Sequence, residues 1–341
     1  MNNIDKMEKE VLAFGAGNYY IHNKDLIREE YNIIAFCDND EKKVGTVYDG
    51  KPVISVGQLM QYTGLEILIT SIHKYEIIEQ LLEEGIEAER ICFMIPDWMK
   101  EICSLVRIGE RGGIELCIRG TFMVLHNDLE EMICREVWYN EDYNINLQTE
   151  CIVIDIGLNV GFATLFFADK AFVKKIYAFE PDKKVYDKAV YNIGLNENAR
   201  DFIETYNVAC SDCNKKEFYV NHRDPLFISA GIRKIRTGDA ANCETIQVEC
   251  VDSAEILGKI IDNHLGKEKI VLKCDCEGAE YEIFYRLEES GYFNKIDVVV
   301  MEWHIGRRED IEKIFSRNNY IYFITTTPGR TFGKCYAIKQ R

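Results

Sequence analysis

Proline is scarce and long apolar runs are missing. Five prolines in 341 residues, alongside 47% hydrophobic and 29% charged content, exclude a proline-rich, collagen-like or charge-dominated disordered chain. No stretch of about 18 uncharged apolar residues occurs, so no membrane-spanning helix is expected. The opening MNNIDKMEKEV has neither the basic start nor the apolar core of a signal peptide, and the expected location is the cytoplasm. Basic residues are also in deficit, 41 against 57 acidic, for a formal charge of −16. Such a field repels a phosphate backbone, which makes nucleic acid an unfavourable partner.

Cysteine, by contrast, is plentiful. Thirteen is an odd number, and many lie in apolar runs such as IIAFCD and IVLKCD, which fits buried reduced thiols better than a disulfide framework. Cys210 and Cys213 form one C-x-x-C and Cys274 and Cys276 one C-x-C; paired C-x-x-C motifs would be needed for a strong zinc signal. Cys274 and Cys276 are expected on one face of a strand, as core.

Along the chain, short β-branched runs alternate with helical patterns, the sign of βαβ units on a parallel sheet. Residues 1–95 carry strand candidates at Val11–Phe14, Ile33–Cys37, Ile67–Thr70 and Ile91–Phe93, with helices near Tyr20–Glu30 and Tyr75–Glu84. Residues 96–150, with Pro96, several glycines and a helical pattern from Leu129 to Tyr139, read as a connecting segment. From 151 to 341 the alternation resumes, with strands expected at Ile152–Ile156, Lys175–Phe179, Thr205–Ala209, Ile246–Val251, Ile270–Cys274, Ile296–Met301, Ile321–Thr325 and Cys335–Ile338. Helices are expected at Lys183–Ile193 and Glu280–Glu289.

The strongest constellation is Cys151-Ile-Val-Ile-Asp155-Ile-Gly157-Leu-Asn159-Val-Gly161. An apolar strand ends in a carboxylate, and glycines then allow close backbone approach ahead of a helix N-terminus. At the tip of the next strand, Glu180-Pro181-Asp182 supplies acids where an open α/β sheet grips ribose hydroxyls. A pyrophosphate wants no carboxylate beside its glycine loop. A cationic ligand does, which favours a sulfonium methyl donor over a nicotinamide dinucleotide.

VIDIGLNVGFATLFFA, YAFEPD, YNIGLN, KCDCEGAEYEIFYRL and VVVMEWH, in this order, resemble the FkbM family of S-adenosylmethionine-dependent methyltransferases over roughly residues 115–341. The resemblance implies an α/β chain in which a class I methyltransferase domain, Rossmann-like with a mostly parallel seven-stranded sheet, follows a smaller Rossmann-like α/β domain. It implies S-adenosylmethionine as cofactor, with Asp155, Gly157, Asn159 and Gly161 around its methionine part and Glu180 and Asp182 toward the ribose. Leu158 departs from the small residue the family carries in the loop. Lys273, Asp275, Glu277, Gly278, Ala279 and Glu280 keep its K-x-D-x-E-G-A-E motif.

Asp275 and Glu277 follow one strand, while Glu302 and His304 fall at the end of the next, so four titratable groups are expected on one crevice. Methyl transfer to a hydroxyl needs alignment and a proton acceptor, and His304, Asp275, Glu277 and Glu302 are the catalytic candidates. Glu280 reads as a helix-start acid with Lys273 as an ion-pair partner. No metal is assigned, although oxygen ligands from two strand ends are also the donor set of a hard cation. The expected acceptor is a small molecule or glycan precursor carrying a hydroxyl.

Two further features stay open. Arg223, Arg233, Lys234 and Arg236 fall in a polar stretch that reads as a solvated loop or as a lid over an anionic acceptor. FGAGNYY and IIAFCDND, with Asp38 ending the second strand, give part of a dinucleotide fingerprint, but Tyr20 stands where a small residue is wanted. With GKPVIS, these runs resemble the small Rossmann-like domains at the N-termini of sugar-modifying enzymes of bacterial glycan pathways. A nucleotide-sugar pocket, an NAD site, an acceptor-holding surface and a homodimer contact are all compatible with them, and a non-catalytic scaffold of glycan assembly is the non-enzymatic alternative.

Overall fold

The computed structural model describes residues 9–222, 231–232, 243–304 and 306–340. Arg223, Arg233, Lys234 and Arg236 lie outside the described residues. The chain divides into two compact units, Met1–Glu131 and Met132–Arg341, so the segment 96–150 is shared between them.

The first unit contains β1 (Lys9–Phe14), α1 (Asn18–Glu30), β2 (Tyr31–Cys37), β3 (Val47–Tyr48), β4 (Lys51–Ile54), β5 (Glu66–Ile69), α2 (Lys74–Glu83), β6 (Ile91–Phe93), α3 (Asp97–Ile102), β7 (Cys103–Ile108), β8 (Ile114–Ile118) and β9 (Thr121–Leu125). Its six-stranded sheet runs β3-β4-β2-β1-β5-β6, parallel apart from the β3–β4 pair. Val11 through Phe14 are buried because β1 is flanked by β2 and β5. The glycines and alternating apolar residues of 103–125 form a separate antiparallel meander, β7-β8-β9.

α4 (Asp128–Cys134) continues as a π-helical turn over Arg135–Tyr139, so the helical pattern Leu129–Tyr139 changes pitch midway. There follow β10 (Cys151–Ile156), α5 (Phe162–Ala168), β11 (Val173–Phe179), α6 (Lys183–Gly194), α7 (Glu197–Arg200), β12 (Ile203–Tyr206), β13 (Ala209–Ser211), β14 (Lys215–His222), β15 (Gly231–Ile232), β16 (Cys243–Asp252), α8 (Ser253–His264), β17 (Lys269–Cys274), α9 (Glu280–Glu289), β18 (Val298–Trp303), α10 (Arg308–Arg317), β19 (Tyr320–Ile324) and β20 (Gly333–Lys339).

The main sheet of the second unit has seven strands in the order β12-β11-β10-β17-β18-β20-β19. Only β20 runs antiparallel, to both of its neighbours. This is the class I methyltransferase fold, mostly parallel, preceded by a smaller α/β unit. All six residues of CIVIDI are buried because β10 lies inside the sheet between β11 and β17, which explains an apolar run rather than an alternating one. The chain leaves β10 toward β11 on one side and returns to β17 on the other. The strand order therefore reverses at β10, and a crevice opens at the carboxyl ends there.

The run Thr205–Ala209, expected as one strand, is a corner instead. β12 joins the main sheet and β13 a second, four-stranded sheet, β13-β16-β14-β15. The side-chain amide of Asn207 donates to the carbonyls of Glu180 and Pro181, which pins the corner to the tip of β11. Twelve of the cysteines are free thiols and eight of these are buried, as the apolar-run reading implied. Cys276 lies past the end of β17 rather than in the strand with Cys274, at a sulfur separation of 3.6 Å. Among the described residues, no helix is long and apolar enough to cross a membrane.

Candidate functional site

The loop after β10 is built so that backbone atoms meet. Gly157 has φ +88°, and a Cβ there would sit 1.8 Å from the carbonyl oxygen of Asp275. Only glycine fits, because no side chain can occupy that space and φ lies in the left-handed region. The N–H groups of Gly157 and Leu158 both donate to the Phe179 carbonyl, and Asp275 N–H donates to Ile156, so the tips of β10, β11 and β17 are tied together. Leu158, the departure from a small residue, is buried in the core. Asn159 has φ +51° and its side chain accepts from Val160 N–H. Gly161, at φ +92°, starts α5 against Ala189 of α6.

Asp155 is fully buried. Thr164 donates to its Oδ2 at 2.5 Å, and Lys273 Nζ pairs with its Oδ1 at 2.9 Å. Lys273 also donates to the Gly157 carbonyl at 2.6 Å, and its ammonium lies 5.3 Å from the Tyr143 ring centre. Burial pulls the Lys273 pKa down, but Asp155 and Asp275 outweigh burial and leave it above the ordinary lysine value. The ion pair expected between Lys273 and Glu280 is therefore replaced by one between Lys273 and Asp155, which holds the glycine loop from inside.

Glu180, just past β11, is buried and accepts from the backbone N–H of Asn159 at 2.9 Å and of Asp182 at 3.0 Å. Burial raises its carboxyl to about 7, against the lowering effect of those two N–H groups. Asp182 caps α6, accepting from Lys184 N–H at 2.8 Å and more loosely from Val185 N–H. Glu180 thus stands beside the glycine loop, while the Asp182 carboxylate is engaged by its own helix.

The second cluster forms where β17 and β18 end. His304, 8% exposed, bonds through Nδ1 to Glu280 Oε1 at 2.7 Å. Its Nε2 lies 3.6 Å from Glu277 Oε2 and 3.9 Å from Asp275 Oδ1. Burial alone would lower the His304 pKa. The Glu280 bond and the charges of Asp275, Glu280 and Glu277 overcome it and push the imidazole up to about 10. Burial, with the neighbouring acids, lifts Glu277 to about 8 despite His304. Glu302, on β18, is raised to about 8 by burial and Asp275, against the pull of His304 and Lys334. Asp275, Glu277 and His304 are thus brought together in direct reach, with Glu302 in their field.

Residues 155–322 match the family model of the methyltransferase FkbM domain. Residues 7–92 match the model described as C2185-like, N-terminal. Among curated relatives, methyltransferase sdnD of Sordaria araneosa is 25% identical over 213 residues, 56% of this chain and 82% of sdnD. AMB antimetabolite synthetase AmbE of Pseudomonas aeruginosa is 22% identical over 251 residues, 61% of this chain but only 12% of AmbE. A crystal structure of methyltransferase FkbM from Methylobacillus flagellatus KT aligns with 97% of this chain and 90% of its own, at 12% identity and a TM-score of 0.38.

One contributor to the site lies outside the FkbM match and was not legible as a site residue. Tyr143 donates to Asp275 Oδ2 at 2.8 Å. Its position is set from β20, where Lys334 donates to the Asp142 carboxylate and Tyr336 to the Asp142 carbonyl. Nothing in the polar run NEDYNIN marks this tyrosine, because its partners are more than 130 residues distant.

In the first unit, Gly15 has φ +119°, and a Cβ there would meet the Thr70 carbonyl oxygen at 2.7 Å. Asp38, at the tip of β2, accepts from Ala16 N–H at 2.9 Å, Asp40 N–H at 2.9 Å and Lys43 at 2.8 Å. Lys43, with the two backbone bonds, overcomes burial and holds this carboxyl below its usual range. Tyr20 fills the third position of the glycine pattern as a buried ring, its hydroxyl bonded to Asp49 at 2.6 Å. The carboxylate that would take a ribose in a dinucleotide site is thus occupied by the domain's own backbone and Lys43.

Proposed function

We propose that this protein transfers a methyl group from S-adenosylmethionine to a hydroxyl of a sugar, glycan precursor or related small metabolite. One observation carries the reading: the FkbM-domain match coincides with a glycine loop and a buried carboxylate at two adjacent strand tips, beside a histidine–carboxylate cluster on the next two. Gly157–Gly161 would hold the methionine part of the donor and Glu180 its ribose hydroxyls, in the crevice at the switch point. The acid-lined second half offers acceptors for several hydroxyl protons, which suits a polyhydroxylated substrate.

In the reaction, an acceptor oxygen forms a bond to the donor methyl carbon as the carbon–sulfur bond breaks and its electron pair leaves with sulfur. The protein's task is alignment and removal of the hydroxyl proton. With nothing bound between them, the acids around His304 push its imidazole up to about 10, which makes it a poor proton acceptor for the hydroxyl. Glu277 and Glu302, lifted to about 8 chiefly by burial, are stronger bases than ordinary carboxylates, and in their ionised forms they are the proton acceptors. Calorimetry with S-adenosylhomocysteine, followed by transfer of an isotopically labelled methyl group to a panel of sugars and nucleotide sugars, tests this. Absence of adenosylhomocysteine binding refutes it; binding with no transfer to any hydroxyl refutes the acceptor class.

A further inference from the structure

We propose that Asp275, Glu277 and His304 form a binding site for a divalent cation of the Mg2+/Mn2+ class. One ligand atom from each of the three lies within 4.8 Å of the others. The separations from His304 Nε2, 3.6 Å to Glu277 Oε2 and 3.9 Å to Asp275 Oδ1, are too long for hydrogen bonds. They match the spacing of two ligands on one cation, since bonds of about 2.0–2.4 Å place neighbouring ligands some 3–4 Å apart.

The histidine supplies an observation independent of the acids. Its side chain is nine-tenths buried, yet Nε2 has no hydrogen-bonding partner among the described residues and points at the two carboxylates. Nδ1 is fixed at 2.7 Å by Glu280, which is itself fully buried and whose Oε2 has no partner. A carboxylate behind the far ring nitrogen orients a metal-bound histidine and fixes its tautomer. Asp275 shows the same division of labour: Tyr143 takes Oδ2 and leaves Oδ1 facing His304. Two carboxylate oxygens and one imidazole nitrogen leave coordination positions for water or an acceptor hydroxyl, and the mixed oxygen–nitrogen set suits Mn2+ well.

The role of the cation rests on the methyl-transfer reading, though the site itself does not. An acceptor hydroxyl bound to the cation is held in place and loses its proton more readily. The hydroxyl proton passes to Glu302, the oxygen bonds to the methyl carbon, and the sulfonium leaves as a neutral thioether. Glu280 is a positioning residue acting through His304.

The test is a Mn2+ titration of the chelator-treated protein, without donor, followed by the loss of the free-ion electron paramagnetic resonance signal. One Mn2+ per chain is expected. Glu277→Gln, which keeps the side chain's size, and His304→Ala should each weaken it more than tenfold, and Glu280→Gln by about 10- to 100-fold through ring orientation. Circular dichroism melting separates loss of ligand from loss of fold. No binding at about millimolar Mn2+, or unchanged affinity in folded Glu277→Gln and His304→Ala, overturns the cation site. Parallel calorimetry with S-adenosylhomocysteine keeps the two proposals distinct, because donor binding without Mn2+ binding removes only the cation site.

Discussion

Replacing Lys273 with methionine isolates one interaction that holds the glycine loop. Met preserves most of the side-chain volume, so the cavity contribution is small. What disappears is the charge facing Asp155 Oδ1 at 2.9 Å and the donor to the Gly157 carbonyl at 2.6 Å. Asp155 is then a fully buried carboxylate with only the Thr164 hydroxyl left. Breaking a buried pair from one side costs about 3–5 kcal/mol, against about 1–3 kcal/mol for a single orphaned neutral group, so the charge dominates. Asp155→Asn added to Lys273→Met removes that charge and should recover about 1–3 kcal/mol. Urea unfolding followed by tryptophan fluorescence in a Trp98→Phe background reads the second unit, because Trp138 and Trp303 both lie in it. The raised Lys273 pKa adds a pH signature: its contribution is complete below the ordinary lysine value of 10.5 and fades as pH rises beyond that. A loss under about 1 kcal/mol for Lys273→Met, or no recovery in the double variant, would refute a loop held by this pair.

Gly157→Ala should destabilise the second unit by about 2–5 kcal/mol, from left-handed strain plus overpacking against the Asp275 carbonyl, and urea unfolding measures it; a neutral result would show that the contact relaxes freely. Glu180→Gln should weaken S-adenosylhomocysteine binding by roughly tenfold or more by calorimetry, since hydrogen bonds to a charged group are worth about 1.5–3 kcal/mol. Burial puts the Glu180 carboxyl at about 7, and an ionised Glu180 holding the ribose would make wild-type affinity rise between pH 6 and 8 while the variant's stays flat; parallel pH profiles would contradict that role. Asp182→Ala should cost about 1 kcal/mol as a lost helix cap while leaving adenosylhomocysteine affinity within threefold; a tenfold loss would place Asp182 on the donor instead.

Strands buried on both faces were the most legible elements. CIVIDI and IVLKC each read as a strand from an apolar run broken by a single charge, and the structure ends them within a residue or two of the expected limits. Glu280–Glu289 was readable from its acidic first turn and apolar spacing, and its bounds agree. Lys215–His222 was not, because the strand draws its stability from β16, a cross-strand partner more than 20 residues further along the chain. The same reason governs the site. Glycines and strand-end acids are local signals, so Gly157, Glu180, Asp275 and His304 could be named from the chain alone. Which acid each cation would face could not, since Lys273 chooses Asp155 over Glu280 only when three strands are aligned.

The carbonyl of Asp275 resting where a Gly157 side chain would be has a thermodynamic consequence. The glycine loop and the acid cluster touch through backbone, with no flexible side chain between them to absorb a displacement. A ligand that moved the loop would move Asp275 with it, and linkage would return the effect: whatever binds at Asp275 would change that ligand's affinity by the factor with which the ligand changes its own.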